Sequence, residues 1–325
     1  MQVAILNPGG HDPNQLFPDG AGPRDARGHA PVNYHAYAAC TGGAFLRDLS
    51  ALPEAVRNVV VLLRRGLHPA LHAVQTLGER GVTVAVSWKE SGPFQIAEQL
   101  ASSADQELFR KICAIAHGAL ASTPEAESFY REAGARVVEF VPTPYPVGDP
   151  RWDFSRPLAE RGGIFIGTRE WSVPTRRHEQ AVREALALGA PVTVVEEGKW
   201  LRGWKNRRRL QALGVAPGRI LRRMPYPEYL AAMGRCRIVY QCDASAVPGQ
   251  IAGDALLCRM PCVGGNGAVE REVFSPGLAA ADLLRDDAVW HAAVQDSQSR
   301  AQARVSFAAV AGRLAEFFTR LREGR

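Results

Sequence analysis

The sequence predicts an α/β protein made of two Rossmann-like domains, each with a parallel sheet and helices on its faces. Three observations support this prediction. Short apolar runs alternate with helical stretches along the chain, which is typical of parallel strands joined by crossover helices. A length of 325 residues suits two domains better than one. A proline-rich stretch without periodicity, residues 142–157, separates two such alternating series and predicts a linker.

The first domain is predicted over residues 1–150 and the second over residues 151–325. In the first domain we expect a strand at the N-terminus, followed by a Gly/Pro/Asp-rich loop to about residue 31 and a helix near residues 34–48. Its remaining strands are predicted at residues 58–63, 81–88, 118–123 and 136–142, with helical stretches near 70–80 and 95–117. Strands of the second domain are predicted at residues 163–168, 191–198, 218–224, 237–243 and 261–265. The amphipathic segment 304–322 predicts a C-terminal helix that crosses back to the first domain.

Composition favours a protein without membrane spans. No apolar run approaches the ~18 residues that a membrane span needs, and the N-terminus shows no signal-peptide pattern. The six cysteines form no C-x-x-C pair, so buried thiols are expected rather than a zinc site. These features predict a cytoplasmic protein without a bound metal.

The net charge of +6 leaves room for an anionic partner. Basic residues cluster at Lys205, Arg207, Arg208 and Arg209. Either these residues form a solvated helix face, or they contact phosphates, nucleic acid or an acidic lipid surface, the last giving a protein peripheral to the membrane.

Ligands of open parallel sheets bind beyond the carboxyl ends of the strands, and four loops fit that position. They contain Gly9 and Gly10, residues 167–169, residues 243–249 and residues 264–267. The chain has neither a G-x-G-x-x-G fingerprint nor a Walker loop, which disfavours a dinucleotide-dependent dehydrogenase and a P-loop kinase or ATPase.

The second half, from IFIGTREWSVPTRRHEQ to CDASAVPGQIAGDALLCRMPCVGGNGAVEREVF, resembles the donor-binding domain of GT-B glycosyltransferases. The resemblance is to the large retaining family that includes sucrose and mannosyl transferases (family 4-like, group 1). It implies two domains facing a cleft, closed by hinge motion, and a nucleoside diphosphate sugar of UDP or GDP type as the donor. It also implies no cofactor and no metal.

The same resemblance assigns roles to residues. Arg169 and Arg177 would neutralise the leaving diphosphate, and Asp254 would hold the ribose. The base would lie near Arg223 and Met224. The sugar would be seated by residues of two loops, namely Asp243, Ser245, Gly249, Gly264 and Gly265, while Gly9 and Gly10 allow close approach in the first domain. The chain departs from the family at Ala246, where the family has Glu, and at Arg259, where it has Gly.

The acceptor side is expected after the strand at residues 81–88. Lys89 would bind a phosphate or a sugar hydroxyl, and Glu90 would orient the acceptor hydroxyl or act as a base; an exposed charged loop is the alternative. The predicted function is transfer of a sugar with retention of its anomeric configuration. The acceptor would be a small sugar, a lipid-linked glycan, a protein or a modified nucleic acid. Two alternatives remain open: a catalytically weak nucleotide-sugar-binding partner protein, which Ala246 favours, and a nucleotide-sugar epimerase of the same architecture.

Overall fold

The computed structural model describes residues 1–23, 29–167, 173–196, 198 and 200–324, and the chain divides into two units. Unit 1 contains Met1–Pro146, Ala246–Pro248 and Arg304–Arg325, and unit 2 contains Val147–Ser245 and Gly249–Ala303. Each unit has its own sheet with helices around it, as the sequence predicted for the fold class.

Unit 1 is built on a seven-stranded sheet in the order β2-β3-β1-β4-β5-β6-β7. All neighbouring strands are parallel except β2, which pairs antiparallel with β3. The strands are β1 (Ala4–Leu6), β2 (Gln15–Leu16), β3 (Ala44–Leu46), β4 (Asn58–Leu63), β5 (Thr83–Trp88), β6 (Gly118–Ala121) and β7 (Val138–Phe140). Every residue of β4 and β5 is buried, because helices cover both faces of a parallel sheet.

The helices of unit 1 are α1 (Tyr34–Ala39), α2 (His68–Glu79), α3 (Pro93–Gln99), α4 (Ser103–Ile115) and α5 (Ala126–Glu132). The C-terminal helix of the chain, α13 (Phe307–Glu323), also belongs to this unit. Phe317 and Phe318 of that helix are fully buried in a cluster with Phe45 and Val60, and Arg322 Nη1 donates to Asn58 Oδ1 at 2.9 Å. The chain therefore needs its last helix to complete the first core.

Unit 2 is built on a five-stranded parallel sheet in the order β10-β9-β8-β11-β12. Its strands are β8 (Ile164–Ile166), β9 (Val192–Glu196), β10 (Ile220–Arg222), β11 (Ile238–Tyr240) and β12 (Cys262–Val263). Its helices are α6 (His178–Ala187), α7 (Trp200–Ala212), α8 (Tyr226–Met233), α9 (Gln250–Leu257), α10 (Ala268–Val273), α11 (Ala280–Arg285) and α12 (Asp287–Arg304). Among the described residues, no helix is both long and apolar enough to cross a bilayer.

The prediction of one helix over residues 34–48 is wrong. Helix α1 ends at Ala39, and the chain turns through Gly42, which has a φ of +63° that few other residue types adopt. A Cβ at Gly43 would lie 2.0 Å from the carbonyl oxygen of Val3, so the chain passes directly against β1 at this point. The next residues form β3 instead, buried between β1 and β2.

Candidate functional site

In each sheet the first parallel strand lies in the interior, because the strands that follow it are added first on one side of it and then on the other. β1 lies between β3 and β4, and β8 lies between β9 and β11. Loops diverge where the strand order reverses in this way, and the crevice between them is where open parallel sheets bind ligands. The candidate sites are therefore the loops after β8 and β11 in unit 2 and those after β1 and β4 in unit 1.

An ion pair joins the loops after β8 and β11 in unit 2. The loop after β8 contains a 3-10 turn, Pro174–Arg176, and Nη1 of Arg176 donates to Oδ2 of Asp243, three residues after β11. The other carboxylate oxygen of Asp243 accepts from the Ser245 amide at 2.8 Å. The hydroxyl oxygens of Thr175 and Ser245 are 2.8 Å apart. Asp243 and Ser245, predicted to seat the sugar, are thus buried and held by neighbours in these two loops.

A buried carboxyl group packs behind the same loops. Gln241 Nε2 donates to Oε1 of Glu270 at 2.6 Å. A Cβ at Gly249 or at Gly267 would lie 2.0 or 2.2 Å from the other oxygen, Oε2, so both positions require glycine. Oε2 has no hydrogen-bond partner among the described residues. Burial raises the pKa of Glu270 to about 7, and the negative charge of Asp243 acts in the same direction.

The glycine loop after β12 packs against the loop after β11. A Cβ at Gly264 would lie 2.0 Å from the carbonyl oxygen of Gln241, and one at Gly265 would lie 2.9 Å from the Gln241 side chain. Both glycines have φ near +80°. The amide of Asn266 donates to the carbonyl oxygen of Asp243 at 3.0 Å. Backbone conformation and close packing therefore explain these glycines, whether or not a sugar contacts them.

The predicted ribose-binding residue is enclosed by the protein. Asp254 lies in α9 and is fully buried, and its Oδ1 accepts from the hydroxyl of Tyr226 at 2.6 Å. Tyr226 begins α8, and its ring packs near the rings of Trp152 and Tyr229, with centroids 6.1 Å away in each case. The tyrosine hydroxyl thus already donates to a carboxylate oxygen that a ribose hydroxyl would need as its hydrogen-bond acceptor.

The remaining predicted donor residues differ in exposure. Arg169 lies outside the described residues. Arg177 is exposed directly before α6, with a left-handed φ of +47°. Arg223 is exposed and Met224 is half-buried, both just after β10. Ala246 is buried with a φ of +48°.

In unit 1 a glycine turn connects the loops after β1 and β4. The Gly10 amide donates to the carbonyl oxygen of Asn7 at 3.0 Å, and Gly9 has a φ of +73°. A Cβ at Gly10 would lie 2.2 Å from Nδ2 of the fully buried Asn7 side chain. Arg64, which follows β4, donates through Nη1 to the carbonyl oxygen of Gly9 at 3.2 Å.

A second ion pair lies at this edge of the unit 1 sheet. Lys89, directly after β5, donates to Oδ2 of Asp12 at 2.9 Å, and both side chains are partly exposed. Partial burial acts to raise the pKa of Asp12, but the hydrogen bond and charge of Lys89 outweigh it and the pKa is lowered. Glu90 is exposed. Lys89 is therefore held by a carboxylate, while Glu90 faces solvent.

Two stacked histidines lie close to this ion pair. The ring of His35 stacks on that of His29, with centroids 4.1 Å apart, and on that of Phe45 at 3.7 Å. Burial, together with the charge of His29, lowers the pKa of His35 to about 3. His35 is consequently neutral at pH 7, and its buried Nε2 has no hydrogen-bond partner in the described part of the chain.

The basic cluster of the sequence lies on α7. Lys205 and Arg208 are exposed, and the Arg208 guanidinium lies 4.0 Å from the centroid of the Trp204 ring. Arg209 pairs with Glu179, and Arg207 is half-buried.

Sequence analysis assigned no role to four residues that organise these sites: Asp12, Arg176, Gln241 and Glu270. Arg176 is adjacent to the predicted Arg177, and Gln241 follows directly on β11. The position of Gln241 at a strand end was a usable signal, whereas Asp12 and Arg176 lie farther along their loops and Glu270 lies in α10. The partners of these residues were not predictable, because each contact joins segments distant in sequence.

Solved structures resemble this chain, although no protein-family model matches it and a comparison with curated proteins finds no similar sequence. HepE of Anabaena in complex with UDP has a TM-score of 0.58 and 15% identity, over 98% of this chain and 100% of HepE. The UDP-forming α,α-trehalose-phosphate synthase of Burkholderia xenovorans, in complex with glucose-6-phosphate, has a TM-score of 0.55 and 11% identity, over 83% and 74%. The lipopolysaccharide outer core galactosyltransferase WaaB has a TM-score of 0.52 and 13% identity, over 82% and 76%.

These neighbours are glycosyltransferases of the GT-B fold. TM-scores of 0.52–0.58 establish a common fold, and at identities of 11–15% the likeness extends to the fold alone. The chain has the GT-B fold.

Proposed function

We propose that this protein is a glycosyltransferase of the hexosyltransferase type. It would move a sugar from a nucleoside diphosphate sugar to a hydroxyl acceptor, with UDP favoured over GDP as the leaving group. The observation that carries the proposal is the ion pair between Arg176 and Asp243 in unit 2. It joins the loops after β8 and β11, where the strand order of the sheet reverses. UDP is favoured because HepE was solved with UDP, with UDP and glucose, and with UDP-glucose.

The diphosphate would bind near the start of α6. Free amide groups and the positive end of the dipole at a helix N-terminus favour an anion, and the exposed Arg177 adds a cation there. We assign Arg169 to the same task on the sequence pattern. Two fixed cations would stabilise the charge that develops on the departing diphosphate, so the reaction would need no metal.

The rest of the donor would follow the loops of unit 2. The sugar would lie against Asp243, Ser245, Gly249, Gly264 and Gly265, and the base beside Arg223 and Met224. The Tyr226 hydroxyl donates a hydrogen bond to Oδ1 of Asp254 at 2.6 Å. A ribose hydroxyl that binds Asp254 would have to replace the tyrosine in this hydrogen bond. Tyr226 would then turn away from α9 when the donor binds.

The acceptor hydroxyl would bind at the polar edge of unit 1, where Lys89 and Asp12 form their ion pair and Glu90 is exposed. In a retaining transfer, the bond from the anomeric carbon to the phosphate oxygen breaks. A bond to the acceptor oxygen forms on the same face, and the departing phosphate oxygen takes the acceptor proton. Asp12 and Lys89 would then orient the acceptor hydroxyl, with no separate base required.

Two observations favour a second candidate, a protein that binds a nucleotide sugar without transferring it. Ala246 provides no carboxylate at the position where the resembled family has Glu, and Asp254 is enclosed. Release of free UDP from UDP-sugar separates the candidates, since a protein that only binds releases none.

Calorimetric titration with UDP-, GDP-, ADP- and TDP-sugars tests the donor assignment. We expect binding of one donor class, with Arg177→Ala weakening it roughly tenfold or more because a hydrogen bond to a charged group contributes about 1.5–3 kcal/mol. Arg183→Ala is the matched control, since Arg183 lies on the same helix but pairs with Glu179 on its exposed side. Arg169→Ala tests the second proposed cation. If none of the donors binds, the assignment of unit 2 as a donor site is wrong.

A further inference from the structure

Helix α7 exposes an apolar and basic face that the proposed function does not use. Leu201, Trp204, Lys205 and Arg208 follow the spacing i, i+3, i+4, i+7, which keeps them within one narrow stripe of a helix. All four side chains are exposed, whereas Gly203 and Leu210 on the other side of the helix are buried. The stripe is called the α7 face below.

Two large apolar side chains on this face are open to solvent. Leu201 is 74% exposed and Trp204 is 50% exposed, and they lie one turn apart. Few other large apolar side chains of the described chain are this open, and those lie apart from one another in sequence. Paired exposure of this kind, rimmed by charge, marks an interaction surface more often than scattered single residues do.

The segment that contains the α7 face, residues 198–227, carries side-chain charges of one sign. Residues 198–227 contain nine Lys and Arg and no Asp or Glu, in a chain whose net charge is +6. Arg209 is committed to Glu179, but Lys205 and Arg208 project from the α7 face. The Arg208 guanidinium lies 4.0 Å from the Trp204 ring centroid, so the cation and the indole are presented together.

We propose that the α7 face binds an anionic phospholipid surface. Leu201 and Trp204 would enter the boundary between headgroups and acyl chains, where Trp is favoured, and Lys205 and Arg208 would contact lipid phosphates. A soluble polyanion would account for the cations but not for an exposed leucine. The combination of both on one stripe selects a lipid surface.

Vesicle binding by the full-length protein tests this proposal. The probes are phosphatidylcholine vesicles and vesicles that also contain about one third phosphatidylglycerol. We expect the protein to sediment with the anionic vesicles only, and less so at high salt. Lys205→Ala/Arg208→Ala should weaken binding about fivefold per charge, because each basic residue near an anionic surface contributes about 1 kcal/mol. Leu201→Ser/Trp204→Ser should weaken it at least as much.

Matched controls lie in unit 1. Leu16→Ser/Phe94→Ser removes two apolar side chains that are also exposed, and Arg110→Ala/Lys111→Ala removes two exposed charges. Both should bind vesicles as the wild type does. Circular dichroism melts would confirm that the α7 variants remain folded, as expected for exposed positions.

Three outcomes would overturn the proposal. The wild type could fail to bind anionic vesicles, or the Leu201/Trp204 variant could bind them unchanged. The protein could also bind single-stranded RNA through Lys205 and Arg208 with no dependence on Leu201 and Trp204. That last result would assign the face to a nucleic acid instead.

Discussion

Glu270 should make the stability of this protein fall as the pH rises through neutrality. Its carboxyl group is buried behind the loops of unit 2, with one oxygen bonded to Gln241 and the other packed against Gly249 and Gly267. Burial raises its pKa from 4.5 to about 7. Folding therefore favours the protonated acid, and between these two values the native state binds more protons than the unfolded chain.

The sign and size follow from that difference. Because the folded pKa is the higher one, the contribution to stability is complete below pH 4.5 and is lost as the pH rises through 7. At about 1.4 kcal/mol per pKa unit, the loss between pH 5 and pH 8 is about 2–3 kcal/mol. For a unit of this size that corresponds to roughly 5–10 °C in melting temperature.

Glu270→Gln removes the titration while keeping an acceptor for Gln241. Thermal melts of both proteins from pH 5 to pH 8 give the difference in melting temperature, in which all other titrating groups cancel. We expect the variant to gain on the wild type as the pH rises. Glu90→Gln, at an exposed carboxylate, should show no such trend. A difference between wild type and Glu270→Gln that stays flat over this range would refute the burial argument.

Three further predictions concern other contacts. Tyr226→Phe removes the hydroxyl that donates to the buried carboxylate in α9, and should lower the free energy of unfolding by about 1–3 kcal/mol in urea denaturation; an unchanged midpoint would contradict this. Phe317→Ala should cost about 3–5 kcal/mol because it opens a cavity in the core of unit 1, whereas its exposed neighbour Glu316→Ala should cost little. Lys89→Met should raise the pKa of Asp12, measured by NMR titration of the carboxyl carbon; an unshifted titration would show that the ion pair does not form in solution.

The fold was predictable because its signals are local. The apolar runs at β4 and β5 are long, rich in valine and bounded by turns, and the structure has strands there. The strand β3 was missed because only three residues form it, Ala44–Leu46, and two of them are also good helix formers. Packing against β1 decides its conformation, and no pattern within three residues reports such packing.

The candidate sites were predictable only in position. Strand ends and glycine turns located the loops, but the sequence does not determine which side chain turns inward. The adjacent pair Arg176 and Arg177 illustrates this limit. The 3-10 turn at Pro174–Arg176 directs the first guanidinium to Asp243, and the left-handed backbone of the second leaves it exposed. A motif match selected Arg177, while the contact that organises the loop belongs to Arg176.

Arg176 and Arg177 differ in how they could hold an anionic ligand. The charge of Arg176 is already balanced by Asp243, so bringing a phosphate to it would either break the pair or set the phosphate beside a carboxylate. Arg177 has an exposed guanidinium at a helix N-terminus, where the dipole adds to its attraction for an anion. The inward arginine therefore acts on the shape of the loop, and the outward one is available to a ligand. Losing Arg176 should loosen unit 2 and weaken donor binding indirectly, whereas losing Arg177 should weaken binding with little change in stability.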